Sequence, residues 1–314
     1  MDLHALSDTT PPLHAATVVL LREGEHGLEV LLLQRHGASP VLGGAHVFPG
    51  GKVDPDDTLL FPWVDQPAAA LDAAWRSRDE PAPHPLAQPV PPPSPSASAA
   101  AAYVAALREN FEETGLLIAC APSHSTAQPV ALSATTVQAA RDQQRSGAPL
   151  DHTLRTLQLR LHTRALYPWA RWITPMHGAV SQKRFDTRFF LAALPPGQET
   201  QVDEREITQA LWLSPRDALQ QYAQGQLTLA PPQIMSLVQL LPHPDVTSAL
   251  AAVQTRPPVR IEPEAHIDAD GKLMHCYPGD ALHRERVARL LGPTRLLYRG
   301  QRFEPEGGYE RLWH

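Results

Sequence analysis

Between Leu107 and Leu116 the chain reads Leu-Arg-Glu-Asn-Phe-Glu-Glu-Thr-Gly-Leu, with Arg108, Glu109, Glu112 and Glu113 packed into six positions. The stretch from residue 99 is alanine-rich and free of Gly and Pro, so it reads as a helix that stops at Gly115, a residue suited to the left-handed position after a helix. At about 100° per residue and with Glu109 at zero, Glu112 lies at about −60° and Glu113 at about +40°, whereas Val104, Leu107 and Phe111 fall at about 220°, 160° and 200°. One face is acidic and the opposite one apolar. Like charges at these spacings repel by a few tenths of a kcal/mol per pair, and Arg108 offsets part of that by pairing with Glu112 at i, i+4. The face has two readings: a solvated acidic surface, or a set of hard oxygen ligands for Mg2+ with positions left for waters and a substrate phosphate.

Several elements must position this helix. Residues 15–21 and 28–33 are β-branched and Leu-rich runs separated by Glu23-Gly24-Glu25-His26-Gly27, which predicts a hairpin. A short strand at 45–48 runs into Gly50-Gly51, where glycine lets the backbone approach a ligand closely. Downstream, strands are expected at 116–120, 170–174, 184–193 and 209–213, and helices at 135–145, 151–161, 232–241 and 244–253. Ser214-Pro215 opens another helix through Tyr222. Beyond Pro257-Pro258 the pattern is irregular, with strand candidates at 259–261 and 295–303.

Of the 33 prolines in 314 residues, ten fall between Pro62 and Pro95. Residues 81–98 read as a mobile or polyproline-like loop, after a turn of helix at 68–76. The net charge of −6 gives no basic field for nucleic acid or membrane. Cys120 and Cys276 are too few for a disulfide framework. The amino terminus lacks the features of a signal peptide, and a cytoplasmic location is expected. His266, His275 and His283 lie near Asp268, Asp270 and Asp280 without metal-site spacing, and read as isolated histidines. Trp169 and Trp172 read as strand core, with base stacking the lesser role.

The acidic helix and the glycine turn together resemble the Nudix hydrolase family, whose box is G-x5-E-x7-R-E-U-x-E-E-x-G-U with U aliphatic. Gly51, Arg108, Glu109, Glu112, Glu113, Gly115 and Leu116 stand at box positions. Asp57 replaces the first glutamate, and Asn110 takes an aliphatic position, which predicts weaker packing of the helix. Fifty residues separate Asp57 from Arg108 where the pattern has seven, and the excess coincides with the proline-rich tract. A lengthened loop there is tolerable because closure entropy grows only logarithmically. The run Leu31-Leu32-Leu33-Gln34-Arg35, then Gly44 and Phe48-Pro49-Gly50-Gly51, resembles the upstream motif of coenzyme A diphosphatases, with Leu33, His36 and Pro40 as departures. The interrupted box, the phrase Trp172-Ile173-Thr174-Pro175 and the run from Lys183 to Phe190 are similar to the peroxisomal mammalian branch and its bacterial relatives.

The resemblance implies an α/β Nudix fold, a mixed sheet sandwiched between helices. The resemblance covers roughly Ala15 to Ala218, and the domain is expected over 12–256, with 58–99 as the insertion and 257–314 as an extension of unknown role. It implies hydrolysis of a diphosphate linkage with Mg2+ or Mn2+, in coenzyme A or an acyl derivative, releasing a phosphopantetheine and an adenosine bisphosphate. Glu109, Glu112 and Glu113 would be the metal ligands, Glu109 ligand or base, and Arg108 would orient them. Arg35, Gly50, Gly51, Lys52, Lys183 and Arg184 are candidates for substrate contacts, and Glu204 and Glu206 for a further base or ligand. The partner is a small nucleoside diphosphate derivative, with no nucleic acid or membrane expected and a homodimer allowed. The alternatives are a diphosphatase for ADP-ribose or another nucleotide conjugate, and a catalytically silent Nudix-like sensor or scaffold.

Overall fold

The structure is a computed structural model and describes residues 11–38, 43–79, 98–175, 183–202, 206–268 and 270–313. The chain begins with β1 (Leu13–Gly24) and β2 (Gly27–Arg35), the expected antiparallel hairpin, followed by β3 (His46–Val47) and β4 (Gly50–Lys52). A 3-10 helix (Pro55–Trp63) and α1 (Ala68–Asp79) lead to α2 (Ala99–Thr114). Next come β5 (Ala119–Cys120), α3 (Ala134–Arg145), α4 (Leu150–Thr156), β6 (Arg160–Leu161), β7 (Tyr167–Ile173), β8 (Phe185–Ala193) and β9 (Ile207–Leu213). Helices α5 (Pro215–Ala223), α6 (Pro231–Leu240) and α7 (Val246–Thr255) follow. The chain closes with β10 (Val259–Ile261), β11 (Glu264–Ile267), β12 (Leu273–Cys276), β13 (Arg295–Arg299) and β14 (Arg302–Pro305).

An eight-stranded mixed sheet runs β10-β7-β8-β1-β2-β3, with β4 also on β1 and β9 also on β2. Strand β1 lies parallel to β8 and antiparallel to β2 and β4. Side chains alternate across a strand, and both sets are buried here. Ala16, Val18, Leu20, Leu31, Leu33 and Phe190 pack against α2, while Val19, Leu21, Val30, Leu32 and Phe189 pack against α5, α6 and α7. That two-sided burial explains why β1 and β2 read as nearly continuous apolar runs. It is also the layered α/β arrangement expected from the family resemblance.

Three local expectations need correction. The helix expected over 151–161 stops at Thr156, because Gln158 turns to a positive φ of 55° and the chain re-enters as β6 against β5. The strand expected over 295–303 is a hairpin, β13 and β14, reversed at Gly300-Gln301. The region beyond Pro257 is regular: β10 extends the main sheet beside β7, and β11 to β14 form a four-stranded antiparallel sheet of their own. Its strands are short, so neither run length nor alternation announces them.

The first half of the proline-rich tract is structural. Leu71 and Trp75 of α1 are buried, Trp75 meets the Phe190 ring edge-on at 5.4 Å, and Arg188 lies over the indole at 5.5 Å. Asp72 Oδ1 accepts the Ala100 N–H at 3.0 Å and Ser98 Oγ accepts that of Ala101 at 3.1 Å, so α1 helps to cap α2. Residues 80–97, the centre of the expected loop, lie outside the described residues. Trp75→Ala is expected to lower unfolding free energy by about 3–5 kcal/mol. Asp72→Ala should lower it by about 0.5–2 kcal/mol. Urea unfolding of both variants checks this, and a wild-type midpoint for Trp75→Ala would show that α1 is only draped on the surface.

Candidate active site

Helix α2 presents its carboxylates to the turn at β4. Gly115 takes the left-handed conformation at φ 66° and its N–H donates to Phe111 O at 2.9 Å, ending the helix where the sequence expects. Asn110 overturns the expectation of weaker packing. It is wholly buried, and its Nδ2 donates to Leu116 O at 2.7 Å while Thr114 Oγ1 donates to Asn110 O, so the pair ties the helix end to the following loop. An aliphatic residue there would leave the Leu116 carbonyl without that partner.

Two glycines make room for the cluster. Residues Thr17 and Gly50 pair in the β1–β4 ladder, and a Cβ on Gly50, whose φ is 152°, would stand 2.7 Å from Thr17 Cα. The Gly50 N–H donates to Glu113 Oε2 at 2.9 Å. A Cβ on Gly51 would stand 2.6 Å from Glu109 Oε2. The turn is therefore fitted to two of the three glutamates.

Arg108 is the hub. Its Nε donates to Asp57 Oδ1 at 2.7 Å and its Nη2 to Asp57 Oδ2 at 3.2 Å, a two-pronged bond to a carboxylate that is buried to 1% exposure. Its Nη1 donates to Glu109 Oε1 at 3.0 Å and Glu112 Oε2 at 2.9 Å, and Nη2 also reaches Lys52 O at 3.1 Å. Asp57 is held in turn by the Asp54 N–H at 2.8 Å, and the Asp54 carboxylate lies 3.6 Å from Arg108. Asp54 was not among the residues singled out by sequence. Its signal is an acid three positions before Asp57 at a helix start, the spacing of a capping box.

The electrostatics are those of an acid cluster short of cations. Burial pushes the Glu109 carboxyl up to about 7, opposed by Arg108 and reinforced by Glu112. Burial pushes Glu113 up to about 8, opposed by the Gly50 N–H and reinforced by Glu109. Glu112 is raised by burial against the pull of Arg108. Burial disfavours the Arg108 charge, yet Asp57, Glu109 and Glu112 more than compensate and hold it firmly protonated. Glu109 and Glu113 face a glycine cradle that a Cβ would fill and Glu112 shares Arg108 with Glu109, hard oxygen donors of the kind a divalent cation takes.

The other candidates separate. Arg35 and Glu206 bear on Glu113, the first lowering and the second raising its pKa, so the structure brings both to the cluster. Glu206 arrives there because Ile207 pairs with Arg35 and the His36 N–H donates to Glu206 O at 2.8 Å. Lys52 contributes its carbonyl to Arg108 while its side chain is exposed. Arg184 donates from Nε and Nη2 to Thr174 O at 3.3 and 3.2 Å, a backbone tie, and Lys183 lines a cavity on the opposite face of the sheet from α2. Glu204 lies outside the described residues. The histidines near the carboxyl terminus do not converge: His275 stacks near Phe303 at 4.9 Å, and His283 Nε2 bonds Glu262 O at 3.1 Å. Trp172 is core, against Phe189 and Tyr277. Among the described residues no helix is long and apolar enough to cross a membrane.

Comparison with known proteins agrees with this geometry. The family model for the NUDT19 Nudix domain matches residues 7–240. Acyl-coenzyme A diphosphatase NUDT19 of Xenopus laevis is 26% identical over 275 residues, covering 82% of this chain and 72% of that protein. Its namesake in Gallus gallus is 31% identical over 242 residues, covering 68% of this chain and 61% of that protein. The crystal structure of a NUDIX hydrolase from Alicyclobacillus acidocaldarius superimposes with a TM-score of 0.57 at 27% identity, covering 79% of this chain and 98% of that one. The family-model match over residues 7–240, in a chain whose split box is rejoined around Arg108, places it in the NUDT19 Nudix-domain family, as a Nudix diphosphate hydrolase.

Proposed function

We propose that this chain is a metal-dependent diphosphatase of coenzyme A and its acyl derivatives. The observation that carries the chemistry is the glycine turn fitted to Glu113 and Glu109, with Glu112 held beside Glu109 by Arg108. The substrate class rests on the relatives named acyl-coenzyme A diphosphatase and on the Leu31 to Arg35 and Phe48 to Gly51 motifs. Hydrolysis breaks one phosphoanhydride bond and adds water across it, giving a 4′-phosphopantetheine and adenosine 3′,5′-bisphosphate.

Glu109, Glu112 and Glu113 would hold Mg2+ or Mn2+. Such a cation, when bound, neutralises diphosphate oxygens and lowers the pKa of coordinated water. Arg108 fixes the rotamers of Glu109 and Glu112 through Nη1, with Asp57 holding the guanidinium from behind. In the alternative to a ligand role, Glu109 would take a proton from the attacking water. Arg35, whose charge favours the ionised form of Glu113, would contact phosphate oxygens. All three box glutamates are present, which disfavours a silent sensor.

Incubating the chain with coenzyme A, acetyl-coenzyme A, ADP-ribose and NADH in Mg2+ or Mn2+ tests the reading, with turnover of the coenzyme A compounds expected. Turnover of ADP-ribose alone would reassign the substrate, and turnover of none would remove the enzyme. Glu109→Gln is expected to lower kcat by about 10²–10⁴-fold with the melting temperature kept. A fully active variant would take Glu109 out of the proton transfer. Protons compete with metal for carboxylates whose folded pKa values are raised to about 7 and about 8. The protonated forms prevail below those values, so the melting shift produced by Mn2+ should be larger at about pH 8 than at about pH 6. A pH-independent shift would place the metal elsewhere.

A further inference from the structure

The face of the sheet opposite α2 carries a cavity of 290 Å3, whose lining includes Thr17, Lys183, Gln233, Tyr298 and Phe303. Thr17 joins it to the active site, because it pairs with Gly50 in the β1–β4 ladder and Gly50 donates to Glu113. Thr17 Oγ1 stands 2.9 Å from where a Gly50 Cβ would be. A substrate with its diphosphate at the Gly50 turn thus has one substituent directed toward this space.

We propose that the cavity takes the pantetheine arm of coenzyme A, an inference that rests on the function proposed above. The lining is largely apolar, and among the described residues Lys183 is the one member with a permanent charge. That suits an uncharged arm with a dimethyl carbon better than a phosphorylated nucleoside. The lining also includes Gln233 and Trp172; a side-chain amide and an indole N–H suit the two amides of pantetheine. The rings are tilted against one another, Trp172 and Phe189 by 54°, Tyr298 and Phe303 by 48°, so these pairs form no parallel slot for a base.

The far wall is made by Pro263, His275, Tyr298, Gln301 and Phe303, all beyond the residues 7–240 that the family model matches. The carboxyl-terminal sheet thereby becomes a specificity element. Tyr222, whose hydroxyl accepts the Phe303 N–H at 3.0 Å, anchors that wall to α5.

Isothermal titration of the full chain with 4′-phosphopantetheine and with adenosine 3′,5′-bisphosphate, in the presence of Mn2+, tests the assignment. Ala230→Phe fills the cavity and Gln233→Leu removes the side-chain amide. Each should weaken 4′-phosphopantetheine binding by tenfold or more, leave adenosine 3′,5′-bisphosphate binding unchanged, and keep the Mn2+-induced melting shift. Wild-type affinity for 4′-phosphopantetheine in Gln233→Leu, or no binding to the unmodified chain, would overturn the proposal. A loss confined to the bisphosphate would overturn it too, by placing the nucleoside in the cavity. Coenzyme A turnover by the unmodified chain is read separately, so a failure of the diphosphatase reading is distinguishable from a failure of the cavity assignment.

Discussion

The bond between Arg108 and Asp57 is the constraint on which the site depends. Asp57 lies before the proline-rich tract and Arg108 after it, with fifty residues between them, yet two hydrogen bonds join their side chains. The Asp57 carboxylate has no exposed side-chain surface and the guanidinium only 13%. Breaking one partner of such a pair leaves an uncompensated buried charge, at about 3–5 kcal/mol. The same guanidinium spends its remaining N–H groups on Glu109, Glu112 and the Lys52 carbonyl. Placement of the glutamates and closure of the interrupted box are thus one electrostatic event. A lysine could not reproduce it, since the geometry needs a planar fork with donors on both sides.

The sheet divides the labour. On the side of α2, even-numbered residues of β1 hold the apolar back of the acidic helix, so its carboxylates face the glycine turn. On the other side, odd-numbered residues of β1 and β8 support α5 to α7 and the carboxyl-terminal strands, and the larger part of the apolar cavity. Strand β4 lies along β1 where that strand has no β2 partner, and brings the glycine turn into contact with both sides.

The acidic helix was legible to the residue. Ser98 and Gly115 are local capping signals and the intervening stretch contains no breaker, so composition alone bounds it. Spacing alone left the glutamates with two readings, and their role followed from the resemblance to the Nudix box, which holds across the insertion. Asn110 misled because its box position is aliphatic, and only the fold shows that its amide satisfies the Leu116 carbonyl. The contribution of Asp72 to the start of α2 was illegible for another reason: it is a contact across 28 positions between elements on either side of a low-complexity tract. The carboxyl-terminal strands are three to five residues long, too short for periodicity to distinguish them from loop. Arg35 and Glu206 were weak candidates as isolated charges. Strand pairing, which sequence patterning does not reveal at that distance, brings them to Glu113.

The most direct test replaces a residue that would touch neither metal nor substrate. Asp57→Asn keeps the shape of the side chain and removes its charge. Coenzyme A hydrolysis by this variant, measured alongside its Mn2+ affinity, should fall by about 10–100-fold, as expected when an outer support of a metal site is lost. Turnover and Mn2+ affinity at the level of the unmodified chain would contradict the claim that the Arg108–Asp57 bond assembles the active site.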